Sequence, residues 1–347
     1  MNAPLRVGLA HNLKRLTPQP GCQLDDEAEY DSETTVNAIA SGIESCGHEV
    51  ALLEADARFP AALAAADVDL VFNIAEGLRG ASREAHVPAI LELMGVPYTG
   101  SDPRCMMLTL DKALAKTVVA AAGVAIPGGV VVKNGDETIP DDWGFPLLVK
   151  PVAEGSSKGV LPSSLAWTAD EAMDVAWEMS RRYAQGALVE AFLPGREFTV
   201  AVLGHRHRVV LPPMEIVFSA GLSFPIYSFD HKLEPNDEVR YEVPAKIPAN
   251  LDQELRAMAL AAFDALGCRD VARIDLRLDA AGRPRFIECN PLPGLTPGWS
   301  DLCLISEANG MAYPTLLETI LARAVAEARQ RDRAAPRVRH AQLHTHD

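Results

Sequence analysis

Ala272-Arg-Ile-Asp-Leu-Arg-Leu-Asp279, a turn at Ala280–Gly282, and then Phe286-Ile-Glu-Cys-Asn290 form the most informative segment of this chain. Side chains along a strand alternate between faces. Ile274, Leu276 and Leu278 therefore share one face, suited to a core, while Arg273 and Asp275 share the other. On the returning strand Glu288 and Asn290 share a face. Pairing of the two strands as a hairpin lets Asp275, Glu288 and Asn290 converge. Two carboxylates side by side repel, and burying them unpaired is costly or raises a pKa. A hard divalent cation removes that cost, because magnesium takes oxygen ligands, usually one or two carboxylates plus substrate phosphates. A solvated strand face with ordinary charges is the alternative. The loop that follows, Asn290-Pro-Leu-Pro-Gly294-Leu-Thr296-Pro-Gly298, favours the metal, since Gly/Pro-rich loops bring backbone N–H groups close to a ligand. Arg273, beside the acids, is placed to hold a phosphate or a developing oxyanion.

Upstream, Leu147-Leu-Val-Lys150-Pro is an apolar strand ending in a lysine, and Ala153-Glu-Gly-Ser-Ser-Lys-Gly159 follows it. A small Gly/Ser loop lets amides and hydroxyls cover phosphates, and Lys150 can neutralise their charge. A flexible surface turn is the plainer reading, and the pattern is not a P-loop. Lys112 lies near the start of a helix, where a lysine opposes the helix dipole. That favours a ligand role slightly over plain solvation.

Residues 1–110 alternate strands and helices: strand Leu5–Ala10, helix Ser32–Cys46, strand Glu49–Glu54, the nearly continuous apolar run Val68–Ile74, and helix Pro88–Met94. This β-α-β order implies an open parallel sheet. Ligands sit beyond the carboxyl ends of such strands, where Asn73, Glu76 and Gly77 fall. A helix cap or turn cluster explains those residues equally well. No G-x-G-x-x-G follows the first strand, which argues against a dinucleotide site. Further on, a helix with Asp111 near its start stops at Gly123, strands are expected at Gly129–Lys133, Leu147–Pro151, Gly159–Pro162, 187–193 and 197–203, and Thr168 with Glu171 reads as a capping box. Helix Leu251–Leu266 leads into the hairpin.

The 347 residues exceed what one small core needs. A net charge of −15 argues against non-specific binding to nucleic acid or to an acidic membrane. No stretch is apolar enough for a signal peptide or a membrane span. The six cysteines form no C-x-x-C pair, so reduced cytosolic thiols are the simplest reading. The tail from about Glu327, with His340, His344 and His346, reads as a frayed end.

In order, these pieces resemble the ATP-grasp superfamily, specifically the D-alanine–D-alanine ligase family. The matching run is Pro97-Tyr-Thr-Gly-Ser101, Asp111-Lys112, Val149-Lys150-Pro151, Glu154-Gly-Ser-Ser157, Leu188-Val-Glu190, Gly195-Arg-Glu-Phe-Thr199, Ala272-Arg-Ile-Asp275 and Glu288-Cys-Asn290 with Pro293-Gly294. It covers roughly residues 68–325. The resemblance implies an α/β fold in which an N-terminal open parallel-sheet domain (1–110) precedes two lobes that clasp ATP. These are a central lobe (111–190) and a C-terminal lobe (191–330), with a flexible tail (331–347). It implies that Lys112 and Lys150 hold ATP phosphates, with Ser157 in the loop over them. Glu190 sits beside adenine, Glu197 binds ribose, and Asp275, Glu288 and Asn290 ligate magnesium or manganese. Arg273 and the Gly294 amide stabilise a tetrahedral intermediate. Ser156 keeps its family place, and Lys232 of a mobile loop reaches the transferred phosphate. Ser300 is a further substrate candidate. The implied reaction joins a carboxylate to an amine through an acyl phosphate, in a cytoplasmic homodimer.

Three departures fall on the amino-acid pocket. The family's N-terminal glycine-rich loop and E-R-E-V-S-type segment are replaced by Asp25-Asp-Glu-Ala-Glu-Tyr-Asp-Ser-Glu33, so Asp31 or Glu33 stands in for the ammonium-binding glutamate. The usual His-Gly is Glu76-Gly77, and a glutamate there repels a substrate carboxylate or attracts a cation. The tyrosine after the mobile-loop lysine is Leu233. The expectation is a ligase with shifted amino-acid-like substrates. The rivals are a housekeeping D-alanine–D-alanine ligase and a nucleotide-binding protein that has lost catalysis.

Overall fold

The structure, a computed structural model, describes residues 3–15, 27–133, 135–155, 157–219, 224–227 and 238–334. Three sheets organise them.

The first is parallel, in order β2-β1-β3, from β1 (Arg6–His11), β2 (Glu49–Glu54) and β3 (Leu70–Asn73). The central strand β1 and its neighbour β3 are apolar on both faces because both are covered, while the edge strand β2 is only partly buried. Val7, Leu9, Leu70 and Phe72 point to one core, shared with Val36, Ile39 and Ile43 of α1 (Glu33–Ser45). Leu316, Leu317 and Ile320 of the C-terminal helix, here α9 (Tyr313–Ala334), complete that core. Ala10, Leu53 and Val71 point the other way, onto α2 (Phe59–Ala66) and α3 (His86–Leu93). Ser32 caps α1 by accepting from the Thr35 amide.

The second sheet is antiparallel, β4-β7-β5-β6, from β4 (Gly129–Val132), β5 (Leu147–Pro151), β6 (Leu165–Ala166) and β7 (Ala187–Ala191). Leu147, Val149, Ala187 and Val189 pack under α6 (Ala169–Tyr183), whose Ala172, Ala176 and Met179 are buried at helical spacing. The two-residue period then turns Leu148, Lys150 and Glu190 to the opposite face.

The third sheet is antiparallel, β11-β10-β8-β12-β13, with β9 also on β8. Its strands are β8 (Glu197–Leu203), β9 (Val209–Val210), β10 (Met214–Phe218), β11 (Val239–Glu242), β12 (Val271–Leu278) and β13 (Pro284–Asn290). Ala272, Ile274, Leu276 and Leu278 pack on Leu255, Ala259 and Phe263 of α7 (Ala249–Leu266) and on Ala115 and Val119 of α5 (Lys112–Ala121). Arg273 and Asp275 thereby face the second sheet's free side across a cleft. Among the described residues no helix is long and apolar enough to cross a membrane.

The structure corrects three local expectations. Gly159–Pro162 is not a strand: Gly159 has φ +75°, and Pro162 opens a 3-10 turn before β6. Helix α4 (Pro103–Leu110) was not foreseen, although Asp102 caps it and Pro103 occupies its first turn; Pro103 reads as a breaker unless the cap is noticed. The frayed end does not begin at Glu327, nor the tail at 331, because α9 runs to Ala334. Arg323 anchors this helix to Asp270 at 2.7 Å and donates to the Tyr98 carbonyl, and Ala328 is buried. His340, His344 and His346 lie outside the described residues.

Candidate active site

Each half of the cleft is built by strand alternation. The hairpin of β12 and β13 pairs Asp275 directly with Glu288 and Arg273 with Asn290, with a bulge after Asp275. Asn290 Nδ2 donates to Asp275 Oδ2 at 3.1 Å, and Thr199 Oγ1 donates to Asp275 Oδ1 at 2.6 Å. Arg273 grips both Asp275 oxygens at 3.0 Å and reaches Asp301 at 3.2 Å. Across the cleft Lys112 Nζ approaches Glu288 at 3.4 Å and donates to the Glu154 carbonyl. The cost of juxtaposed carboxylates is thus met here by a guanidinium and an ammonium.

Two carboxylates and an amide suit a hard cation that completes its shell with phosphate oxygens. Among the described residues there is no group of three or more His, Cys, Asp or Glu side chains able to hold a metal unaided. The donor set therefore fits a cation that arrives with a phosphorylated ligand, not a permanently caged one.

Lys150 Nζ sits 2.5 Å from Glu190 Oε1, and Lys116, a residue the sequence reading did not single out, donates to Glu190 Oε2. All three are buried. Burial opposes both ammoniums. At Lys150 the Glu190 and Glu288 carboxylates outweigh it and hold the pKa above its ordinary value. At Lys116 burial wins and pushes the value down to about 8. Burial would raise Glu190, but the two lysines hold its carboxyl below the usual range. One carboxylate serving two lysines leaves one of them short-changed. Lys112+4 spacing on an amphipathic helix was the available signal for Lys116.

Two cavities meet along this line. A narrow one of about 90 Å³ lies between the second and third sheets, lined by Lys150, Ser157, Glu190, Glu197, Asp275 and Glu288. A wider one of about 490 Å³ is lined by Asp31, Glu76, Arg273, Asn290, Gly294 and Ser300 among others. Lys112, Glu154, Tyr227 and Glu288 line both. Glu197 is paired with Arg277 at 3.0 Å. Ser157 adopts φ +57°, which folds the glycine loop back on itself. Ser300 Oγ accepts from the Thr296 amide at 3.0 Å. A Cβ on Gly294 would fall 2.8 Å from that hydroxyl oxygen, so a larger residue there would displace the Ser300 hydroxyl.

Of the N-terminal candidates, the structure brings Asp31 and Glu76 to the wide cavity. Glu33 is not brought there: it lies exposed on the first turn of α1, pointing away because Ser32 has already begun the helix. Ser156 and Lys232 lie outside the described residues. Leu233 lies there too, but Tyr227 and Tyr241 put phenols on the cavity wall, 2.5 Å apart oxygen to oxygen. Glu29 was also overlooked. It chelates Arg83 at 2.8 and 2.9 Å and accepts from the Gly155 amide at 2.5 Å, while Arg83 donates to the Ala153 carbonyl at 2.9 Å. This pair ties the first sheet's loops to the glycine loop. No periodicity announces it, because its partners are 54 and 126 residues apart.

Comparison with known proteins agrees with this architecture. The family profile described as "D-ala D-ala ligase C-terminus" matches residues 130–322. An uncharacterised protein, y4sG, of Sinorhizobium fredii is 37% identical over 293 residues, 82% of this chain and 85% of that protein. The D-alanine–D-alanine ligase of Bordetella parapertussis is 37% identical over 294 residues, 84% of this chain and 89% of that protein. The fold matches that of D-alanine–D-alanine ligase from Bacillus anthracis complexed with ATP, with TM-score 0.73 and 22% identity over 94% of this chain and 99% of that one. It matches VanG D-Ala:D-Ser ligase from Enterococcus faecalis equally well, with TM-score 0.73 and 21% identity over 92% and 99%. The chain belongs to the D-alanine–D-alanine ligase family of ATP-dependent, ADP-forming ligases, built on the ATP-grasp fold.

Proposed function

We propose that this ligase activates the carboxylate of one amino-acid-like substrate with ATP and transfers the acyl group to the amine of a second. The observation that carries the reading is the junction of the two cavities, where Glu288, between Asp275 on the narrow side and Asn290 on the wide side, meets Lys112. The narrow cavity would take the nucleotide, with Glu190 at adenine, Glu197 at ribose, and Lys150, Lys112 and Ser157 on the phosphates. At about 90 Å³ it is below the ~300–1,000 Å³ usual for ligand pockets, so nucleotide entry requires the two sheets to part. Lid closure of this kind then keeps water from an acyl phosphate.

Asp275, Glu288 and Asn290 would hold magnesium, or manganese, whose charge when bound offsets that of the phosphate oxygens. The side chains do the remaining work by alignment and charge neutralisation. The substrate carboxylate oxygen attacks the γ-phosphorus, the bond to the β-phosphate oxygen breaks, and ADP leaves. The amine nitrogen then attacks the acyl carbon beside Arg273 and the Gly294 amide, the acyl–phosphate bond breaks, and inorganic phosphate and the amine proton depart. Arg273, held by Asp275 and Asp301, keeps its charge with its pKa pushed up, even though burial opposes this. Lys232 is a proposed partner of the transferred phosphate, and Ser156 a proposed catalytic residue.

The residue divisions 1–110, 111–190 and 191–330 and a cytoplasmic, homodimeric state are part of the same proposal. ATP supply favours the cytoplasm. Light scattering that gives a monomer at micromolar concentration removes the dimer. The function is tested by incubating the protein with ATP, magnesium and a panel of D- and L-amino acids, reading phosphate release and product mass. A dipeptide with stoichiometric phosphate supports ligation. Acyl hydroxamate formed with added hydroxylamine, without any dipeptide, would instead make it a carboxylate kinase.

A further inference from the structure

Resting on the ligase reading, the charge inventory of the wide cavity narrows the substrate. Seven carboxylates and three cationic side chains line it. Four of the acids are neutralised within the protein: Glu29 and Glu154 by Arg83, Glu288 by Lys112, and Asp301 by Arg273. Asp31, Glu76 and Glu84 make no side-chain hydrogen bond or ion pair among the described residues. Glu84 is only 7% exposed, and that exposure is to the cavity. A buried carboxylate without a donor is expensive, and three around one cavity compound the cost.

From this geometry we infer that the cavity binds an amino acid carrying a second positive charge on its side chain, a diamino acid, with Glu84 and Glu76 as the side-chain receptors. One carboxylate answers an α-ammonium, and the other two remain for the extra cation. A metal ion is a poorer occupant, because among the described residues no three such groups stand close enough to hold one. Burial raises Asp31 to about 7 and Glu84 to about 8, and raises Glu76 well above the ordinary range, as expected of acids awaiting a counter-charge.

Lysine and norleucine are matched in length and differ in that charge, so they make the test. Both enantiomers are assayed for ATP-dependent product. The expected result is a kcat/KM for lysine at least ~100-fold above norleucine, falling at least ~10-fold in Glu84→Gln. Equal or better use of norleucine or alanine, or a lysine preference unchanged in both Glu84→Gln and Glu76→Gln, overturns the inference. Titration calorimetry of lysine and norleucine onto the wild-type protein without ATP reads recognition apart from chemistry, and serves if a variant fails to fold. Tighter lysine binding with proton release, but no product from any amino acid, keeps this inference and removes the ligase reading. Product from neutral amino acids alone does the reverse.

Discussion

Lys116→Met isolates the buried Lys116–Glu190–Lys150 group, where two large effects nearly cancel. The folded-state pKa of Lys116, about 8, lies below the ordinary 10.5. A depressed lysine is a destabilising charge: its penalty is fully present below the folded value and is relieved as pH rises from about 8 to about 10.5. The gap corresponds to about 3 kcal/mol, undiminished by solvent because Lys116 is 4% exposed. Methionine of similar length removes that penalty and leaves Glu190 paired to Lys150 alone. The cost is one buried carboxylate oxygen without its donor, about 1–3 kcal/mol. At pH 7 the variant should therefore lie within about 2 kcal/mol of the wild type, not the ~3–5 kcal/mol below it expected when a buried pair is broken. Relative to the wild type, it should then lose about 3 kcal/mol between pH 8 and 10.5, because only the wild type gains stability there. Urea unfolding at half-unit pH steps measures this. A loss above ~4 kcal/mol at pH 7, or parallel pH profiles, refutes the reasoning. Glu190→Gln is the contrasting control: it strands two buried ammoniums and should cost at least ~3–5 kcal/mol.

Asp275→Ala and Glu288→Ala should each lower ATP-dependent phosphate release at least ~100-fold while far-ultraviolet dichroism stays unchanged; wild-type turnover in either removes that residue from the site. Arg323→Met should cost ~3–5 kcal/mol in urea, since it leaves Asp270, 1% exposed, without its guanidinium; a loss under ~1 kcal/mol would mean the joint between α9 and the segment leading into β12 is not held there. Gly77→Ala should cost ~2 kcal/mol or more, because φ is +78° and the new Cβ would stand 2.2 Å from the Arg83 carbonyl oxygen; a neutral midpoint shift would contradict that clash.

Local pattern alone determined a good deal. The β-α-β order of the first hundred residues follows from alternating apolar strands and helices, and the shared faces of Arg273 with Asp275 and of Glu288 with Asn290 follow from a two-residue period, which survives folding because a one-residue slip would bury charge and expose the core. Motif order was enough to name the family. Sequence was silent where partners are distant. Glu29 reaching Gly155, Arg83 bracing the same loop, Lys116 sharing Glu190, and Asp31 rather than Glu33 facing the cavity are set by how three sheets and their helices pack. A side chain's pattern says which face it occupies. Its charge partners, its desolvation and hence its pKa depend on what other elements bring against that face, and only the tertiary structure decides that.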